Sequence, residues 1–376
     1  MFIFTIAIQQ PSCAQVETAK SVCVMNTVTG KVVFSQNADE RLPMASTTKI
    51  MTLITALLNS NPDDVVKVSR YAAYQEGSSA YLKPDALITM RDLCYGLMLN
   101  SGNDAAVAIA EHISQNEEKF ALLMNDAANK MGVKDTNFVN PNGLHDDNHY
   151  TTAYDMALIA MEAMNNATFS EVWGNPSYIV NPTSVEPDVV RIWNRHNMLV
   201  SRQAAFYSYA KGGKTGYTDE AGRTLVTYAS RDGRNLMCVV MKSGTETVYD
   251  DTRRLFEYGF TEFQNVEVKG NETRFGQSED SFFVSRDNLF GDSSNLMELT
   301  DSYVTIPAGS SLDLMGYELT FLENDENGHM ACIKYKIGDA YLGQAILKLN
   351  VDDEDKFKVG CRRRFAGSSS ARRNKI

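Results

Sequence analysis

The 376-residue sequence predicts an α+β protein in two parts: an antiparallel sheet flanked by helices, then a small all-β domain. Three observations carry this expectation. Apolar residues recur at helical spacing in 46–58, 93–112, 117–131 and 153–164. From Lys214 onward, short alternating runs are joined by tight turns, as in antiparallel strands. Beyond Glu262 no long helical stripe occurs, and turn residues recur roughly every ten positions.

The chain opens on an apolar run, Phe2–Ile8, broken by Thr5 and too short to span a bilayer. Ser12-Cys13-Ala14 supplies the small residues that signal peptidase requires, so 1–14 reads as the remnant of a secretory signal, with Gln15 as the mature start and export as its consequence. The basic region that normally begins such a signal is missing, and Gln10-Pro11-Ser12 is a poor lipobox for Cys13. Val22–Asn26 and Val32–Ser35 flank Thr29-Gly30, a hairpin. Ile50, Met51, Leu53, Ile54, Leu57 and Leu58 stripe the first helix. Leu93–His112 reads as a helix interrupted at Asn100-Ser101-Gly102-Asn103, and Glu117–Met131 and Ala153–Met164 as amphipathic helices. Thr215–Thr218, Thr224–Ser230 and Leu236–Met241 are strands, the last two joined at Asp232-Gly233. Asp250–Tyr258 is a helix with Gly259 as its C′ residue. In the second part, Leu312 and Leu314 flank Asp313, and Ile333, Tyr335 and Ile337 alternate with lysines. The expected division is 15–262, 263–361 and a tail, 362–376.

Charge is unevenly placed. Residues 1–262 carry 22 basic and 29 acidic side chains, 263–361 carry 8 and 18, and 362–376 carry six basic and none acidic, within a net charge of −11. An acidic body disfavours a nucleic-acid partner. The basic tail suggests reversible contact with anionic lipid. The six cysteines, at 13, 23, 94, 238, 332 and 361, form no Cys-x-x-Cys pair and are too sparse for a disulfide scaffold; Cys94 and Cys238 sit in apolar runs as small buried hydrophobes.

Three short motifs carry chemistry. Ser46-Thr47-Thr48-Lys49 puts a hydroxyl and an amine one helical turn apart, so a desolvated Lys49 can take the Ser46 proton. By itself the pair also fits an N-cap serine and a solvated lysine. Ser101-Gly102-Asn103 places a hydroxyl and a carboxamide on one tight turn. Lys214-Thr215-Gly216 offers a cation and a hydroxyl to a carboxylate, with a glycine that admits a close backbone. A phosphate-binding loop is disfavoured there, because Ser208 stands where its first glycine is needed and the segment leads into a strand. His145 and His149 imitate a zinc-protease spacing, but Asn142-Gly143 argues for a loop, so neither metal nor cofactor is expected.

Together and in this order the motifs resemble the low-molecular-mass penicillin-binding proteins, D-alanyl-D-alanine carboxypeptidases with a β-lactamase-like catalytic domain. The resemblance runs from about Ala19 to Phe260. It includes Met44–Thr52 (MASTTKIMT), Leu99–Asp104 (LNSGND), Asn140–Leu144 (NPNGL), Thr151–Ala157 (TTAYDMA), Lys214–Thr218 (KTGYT) and Tyr258–Phe260 (YGF). It implies that Ser46 attacks the carbonyl between the last two D-alanines of a peptidoglycan pentapeptide stem, with Lys49 as its base. Ser101 then relays a proton, and Asn103 orients substrate and Lys49. The N–H groups of Ser46 and Tyr217 form the oxyanion hole, Lys214 and Thr215 hold the carboxylate beside Gly216, and β-lactams acylate Ser46. One departure stands out. Where many relatives carry an arginine for the carboxylate, this chain has Val248, so either Lys214 and Thr215 suffice, or a nearby cation such as Arg223 substitutes, or activity is reduced. A β-lactamase is the enzymatic alternative, but Glu171…Asn175 falls too far after Ser101 to serve as its deacylating loop, and Trp173 between them reads as packing. A non-catalytic penicillin-sensing module is the other.

Overall fold

In a computed structural model of the chain, the residues described are 16–272, 274, 297–322 and 329–349. The expected signal remnant 1–14, Gln15, Cys361 and the basic tail 362–376 lie outside them. The chain divides into two compact units. The first runs to Thr27 and resumes over Val32–Glu262; the second comprises Val28–Lys31 and the chain from Phe263.

The first unit is built on a five-stranded antiparallel sheet. β1 (Ser21–Asn26) and β2 (Val32–Gln36) form the predicted hairpin, with Gly30 in the left-handed region its turn requires (φ 71°). Next comes α1 (Lys49–Asn59), whose residues Lys49–Ala56 are all buried, which marks a central helix surrounded by others. β3 (Val65–Lys67) and β4 (Leu87–Thr89) make a small ribbon around α2 (Arg70–Ala73). The interrupted helix becomes two, α3 (Met90–Leu99) and α4 (Asn103–Ser114). α5 (Glu117–Lys130) and α6 (Ala153–Ala163) follow, and α7 (Ala167–Gly174) after them. Thr89, Asn116, Thr152 and Asn166 start four of these helices by accepting a backbone N–H three residues on, each worth about 1 kcal/mol. A short hairpin, β5 (Ser177–Val180) with β6 (Val190–Trp193), had no clear sequence signal.

β7 (Ala210–Thr218), β8 (Gly222–Arg231) and β9 (Arg234–Ser243) complete the sheet in the order β2-β1-β9-β8-β7. Strand alternation sorts the two faces of β9. Met237, Val239 and Met241 join the helical core with Cys23 and Met25, whereas Leu236 faces α8 (Val248–Glu262). Here one expectation is corrected. Gly259 does not end a helix at Tyr258; α8 runs through it to Glu262. A Cβ at Gly259 would lie 2.7 Å from Leu236 Cδ1, so this glycine serves helix–strand packing.

The second unit has the strand order β10-β12-β15-β14-β13, with β11 also on β15. These are β10 (Phe263–Glu267), β11 (Met297–Leu299), β12 (Tyr303–Pro307), β13 (Gly316–Phe321), β14 (His329–Ile337) and β15 (Ala340–Leu349), with a single helical turn, α9 (Val268–Asn271). Ile333 and Tyr335 are buried on β14, as their alternation predicts, and Tyr335 donates to the buried Glu272 carboxylate at 2.9 Å. Leu312–Leu314, by contrast, is a 3-10 turn, because only Leu312 reaches the core.

Cys23, Cys94, Cys238 and Cys332 are free buried thiols, and burial pushes Cys94 up to about 12, which makes it inert. Trp173 packs into the same core, 5.2 Å from Phe169, and lies so close to β7 that a Cβ at Gly212 would sit 2.1 Å from its Nε1. Trp173→Ala is expected to cost about 3–5 kcal/mol, read as a lower urea midpoint at an unchanged m-value.

Candidate active site

Residues Ala45–Thr48 form a 3-10 turn that leads into α1. Thr47 Oγ1 donates to Met44 O at 2.6 Å and Thr48 Oγ1 to Ala45 O at 2.7 Å, which pins the turn from inside. Ser46 makes no capping bond and is half-buried, while Lys49 is completely buried, so the plain N-cap reading of the pair does not hold. Lys49 Nζ lies 2.9 Å from Ser46 Oγ and donates to Asn103 Oδ1 at 2.7 Å and to the Asn142 carbonyl at 2.5 Å. Burial first, then the Lys214 charge, holds Lys49 well below the ordinary lysine value; Asp104 pulls the other way, and Arg195 adds a smaller push down. A neutral amine has two N–H groups and one lone pair. Two carbonyl-type acceptors take the N–H groups, so the lone pair is left for the Ser46 hydroxyl.

Ser101 sits in the break between α3 and α4 with φ 60°, an uncommon conformation for a residue with a side chain. It receives a hydrogen bond from Lys214 Nζ at 2.9 Å. Gly102 is the N-cap of α4, and a Cβ there would lie 2.9 Å from the Ala80 backbone. Asn103 Nδ2 donates to Glu76 O at 2.7 Å, which fixes the amide with its oxygen toward Lys49. Asp104 is fully buried and accepts from Ala80 N–H at 2.8 Å, Leu82 N–H at 3.1 Å and Ser79 Oγ at 2.7 Å, so it ties the 79–82 loop to α4.

Lys214, Thr215, Gly216 and Tyr217 lie in the middle and far half of β7, not at its start. β7 is the edge strand of its sheet. Lys214 is buried, and burial aided by Arg195 brings it down to about 7. Gly216 runs against the serine turn: a Cβ there would lie 3.0 Å from Ser46 N and 2.2 Å from Thr224 Oγ1. Thr224 in turn donates to Met44 O at 3.1 Å. The structure therefore brings Ser46, Lys49, Ser101, Asn103, Lys214, Thr215, Gly216 and Tyr217 together around one cleft.

That cleft has two halves meeting at Ser46, of about 440 and 410 Å³. The first is lined by Ser101, Thr215, Arg223, Thr245 and Val248, the second by Asn103, Asn142, Gly143, Leu144 and Tyr81. Ser78, Arg195 and Tyr217 line both, and no carboxylate among the described residues lines either. Glu171 is elsewhere, accepting from Tyr95 Oη at 2.7 Å.

Sequence reasoning missed three contributors. The Asn142 carbonyl carried no side-chain signal, and Arg195 arrives from an unpatterned segment. His149 was visible only as a false metal motif. Its imidazole and that of His145 go to different partners, His145 Nε2 lying 3.4 Å from Asp147. His149 is buried beneath the serine turn, where Val139 N–H donates to its Nδ1 at 3.0 Å. The proton is therefore on Nε2, which donates to Thr48 Oγ1 at 2.7 Å, and Thr48 passes the bond to Ala45 O. Burial brings His149 down from 6.5 to about 4. Between those values the unfolded chain binds a proton that the folded chain does not, so folding stability rises with pH across this window and falls as pH drops through it. His149→Gln is expected to flatten that slope by on the order of 2–3 kcal/mol, measured by urea melts at pH values spanning about 4 to 6.5.

Residues 7–245 match the family model described as D-alanyl-D-alanine carboxypeptidase, peptidase family S11. The chain is 34% identical over 263 residues to the D-alanyl-D-alanine carboxypeptidase DacF of Bacillus subtilis, a stretch that covers 68% of this chain and 66% of DacF. It is 31% identical over 318 residues to DacA of Escherichia coli, covering 81% and 74%. A variant of the Streptomyces K15 DD-transpeptidase superposes with a TM-score of 0.61 at 32% identity, covering 65% of this chain and 99% of that one. The D-alanyl-D-alanine carboxypeptidase DacD of Francisella tularensis shares the fold over 90% of this chain and 94% of its own, with a TM-score of 0.69 at 24% identity. A serine, a buried lysine and an edge strand arranged around one cleft thus accompany a match over most of the first unit, and the chain belongs to the D-alanyl-D-alanine carboxypeptidase family of serine peptidases.

Proposed function

We propose that the protein removes the terminal D-alanine from peptidoglycan stem peptides through an acyl-enzyme on Ser46, and that β-lactams trap it at that stage. The observation that carries the reading is the Lys49 amine, 2.9 Å from Ser46 Oγ with its other bonds taken by Asn103 and Asn142. Lys49 takes the Ser46 proton as Oγ attacks the carbonyl between the two D-alanines. The oxyanion forms between the N–H groups of Ser46 and Tyr217, which Gly216 allows to approach. Ser101, held by Lys214, passes a proton to the departing D-alanine amine and later assists the attacking water. Thr215 and the Lys214 charge favour the carboxylate of the leaving residue, and Asn103 aligns the peptide on the opposite side. No cofactor enters this scheme.

The absence of a carboxylate among the cleft-lining residues supports this reading over a β-lactamase, since none is placed to drive rapid deacylation as the class A enzymes require. The intact hydroxyl and amine pairs support it over a non-catalytic sensor. Because the substrate lies outside the cytoplasmic membrane, we assign the protein to the cell envelope, in keeping with the signal-like segment 1–14. No helix among the described residues is long and apolar enough to cross a membrane. Peripheral contact through the six cations of 362–376 belongs to the same proposal.

Incubation with penicillin is expected to leave a stable adduct that mass spectrometry maps to Ser46. A D-Ala-D-Ala peptide should release D-alanine, and Ser46→Ala should abolish both. Retention of full peptidase activity by Ser46→Ala would remove the mechanism, and rapid drug turnover would favour the β-lactamase.

A further inference from the structure

We infer that Arg223 on β8 is the cation that binds the terminal carboxylate of the substrate, in place of a positive charge at the Val248 position. The inference rests on the carboxypeptidase reading and deepens it.

Pairing in the sheet sets the geometry. Thr215 is opposite Leu225 and Tyr217 opposite Arg223, so these four side chains share one face. All four line the same half of the cleft, with Thr245 and Val248 completing its wall. Lys214 is one residue out of step and leaves the opposite face of β7, while its Nζ reaches Ser101 at the base of the cleft. There it is buried, and two of its three donors are taken by Ser101 Oγ and the Thr215 carbonyl. A lysine so occupied has one N–H left to offer a carboxylate, so it cannot grip both oxygens by itself.

Arg223 has the opposite properties. It is half-buried, and its guanidinium lies 4.8 Å from the centre of the Tyr217 ring. Nε reaches Thr245 Oγ1 at 3.4 Å, while neither terminal nitrogen makes a hydrogen bond among the described residues. No carboxylate pairs with it there either. A guanidinium is always charged and offers two parallel N–H groups that match a carboxylate edge. Stacking on Tyr217 holds that fork in the half of the cleft that Thr215 also lines. Val248 is 3% exposed and apolar, so the helix wall supplies no charge of its own. Arg195, the other arginine of the cleft, is engaged by Ser78 Oγ at 2.9 Å and lines both halves.

The test compares two probes on the full chain: a diacylated L-lysyl-D-alanyl-D-alanine and the same peptide with a C-terminal carboxamide. Wild-type protein should prefer the free acid in kcat/KM. Arg223→Gln should lower that acid-to-amide ratio about tenfold or more, with KM for the acid rising more than kcat falls, at an unchanged melting temperature. Arg223→Lys should retain part of the preference, and Val248→Arg added to Arg223→Gln should restore it. An unchanged ratio in Arg223→Gln, or a fall produced by Arg195→Gln alone, would overturn the inference. Failure of wild-type protein to release any D-alanine would instead overturn the carboxypeptidase reading itself.

Discussion

The site depends on burying an amine. Lys49 sits at the start of the central helix with no exposure to solvent, where an ammonium ion is strongly disfavoured unless it is paired. Among the described residues no carboxylate pairs with it. Asp104, buried nearby, accepts three bonds from the 79–82 loop and steadies it. Lys214 adds like charge from the sheet side. Burial and the Lys214 charge outweigh the opposing pull of Asp104 and favour the neutral amine, and the two carbonyl acceptors then decide where its lone pair points. Basicity and aim both come from the surroundings.

That arrangement forces distant segments to meet closely. Lys49 comes from α1, Asn103 from the start of α4, Asn142 from a loop and Lys214 from an edge strand. Two of the contacts are possible only because a side chain is missing. A Cβ at Gly143 would fall 2.0 Å from Ala45 O, and one at Gly216 would crowd Ser46 N. Gly143 also has φ 87°, which a side chain would strain. The edge position of β7 has its own consequence. With no strand on its outer side among the described residues, the backbone there can accept a peptide laid along it, while β8 behind it carries Arg223.

Much of this was legible in sequence because it is local. The i, i+3 spacing of Ser46 and Lys49, the turn residues at 100–103 and the alternating strands after Lys214 each show within a few residues. The order of the motifs limited the chemistry further. What remained hidden is set by tertiary contact. A carbonyl such as Asn142 O has no residue-type signature. His149 appeared as half of a metal pair because sequence distance cannot tell which way an imidazole points. Gly259 looked like a helix terminator because a glycine that admits a neighbouring leucine and one that ends a helix read alike. Leu312 and Leu314 alternate as in a strand, yet only one of them has a core to enter.

The backbone at Ser46 and Ser101 is constrained in the same way. Ala45, just before the nucleophile, has φ 48°, and Ser101 has φ 60°. Neither residue favours that region, and each position costs on the order of 1 kcal/mol. Both are held by bonds from well outside their own turns: Ala45 through Thr48 and His149, Ser101 through Lys214 and through the Asp104 clamp one turn of chain away. Strain that is over-determined by surrounding contacts keeps the oxygens in place before substrate arrives, so binding need not supply that ordering. His149 lies outside the cleft and acts on this turn at one remove: through Thr48 it supports the Ala45 carbonyl, which sets the direction of the Ser46 turn.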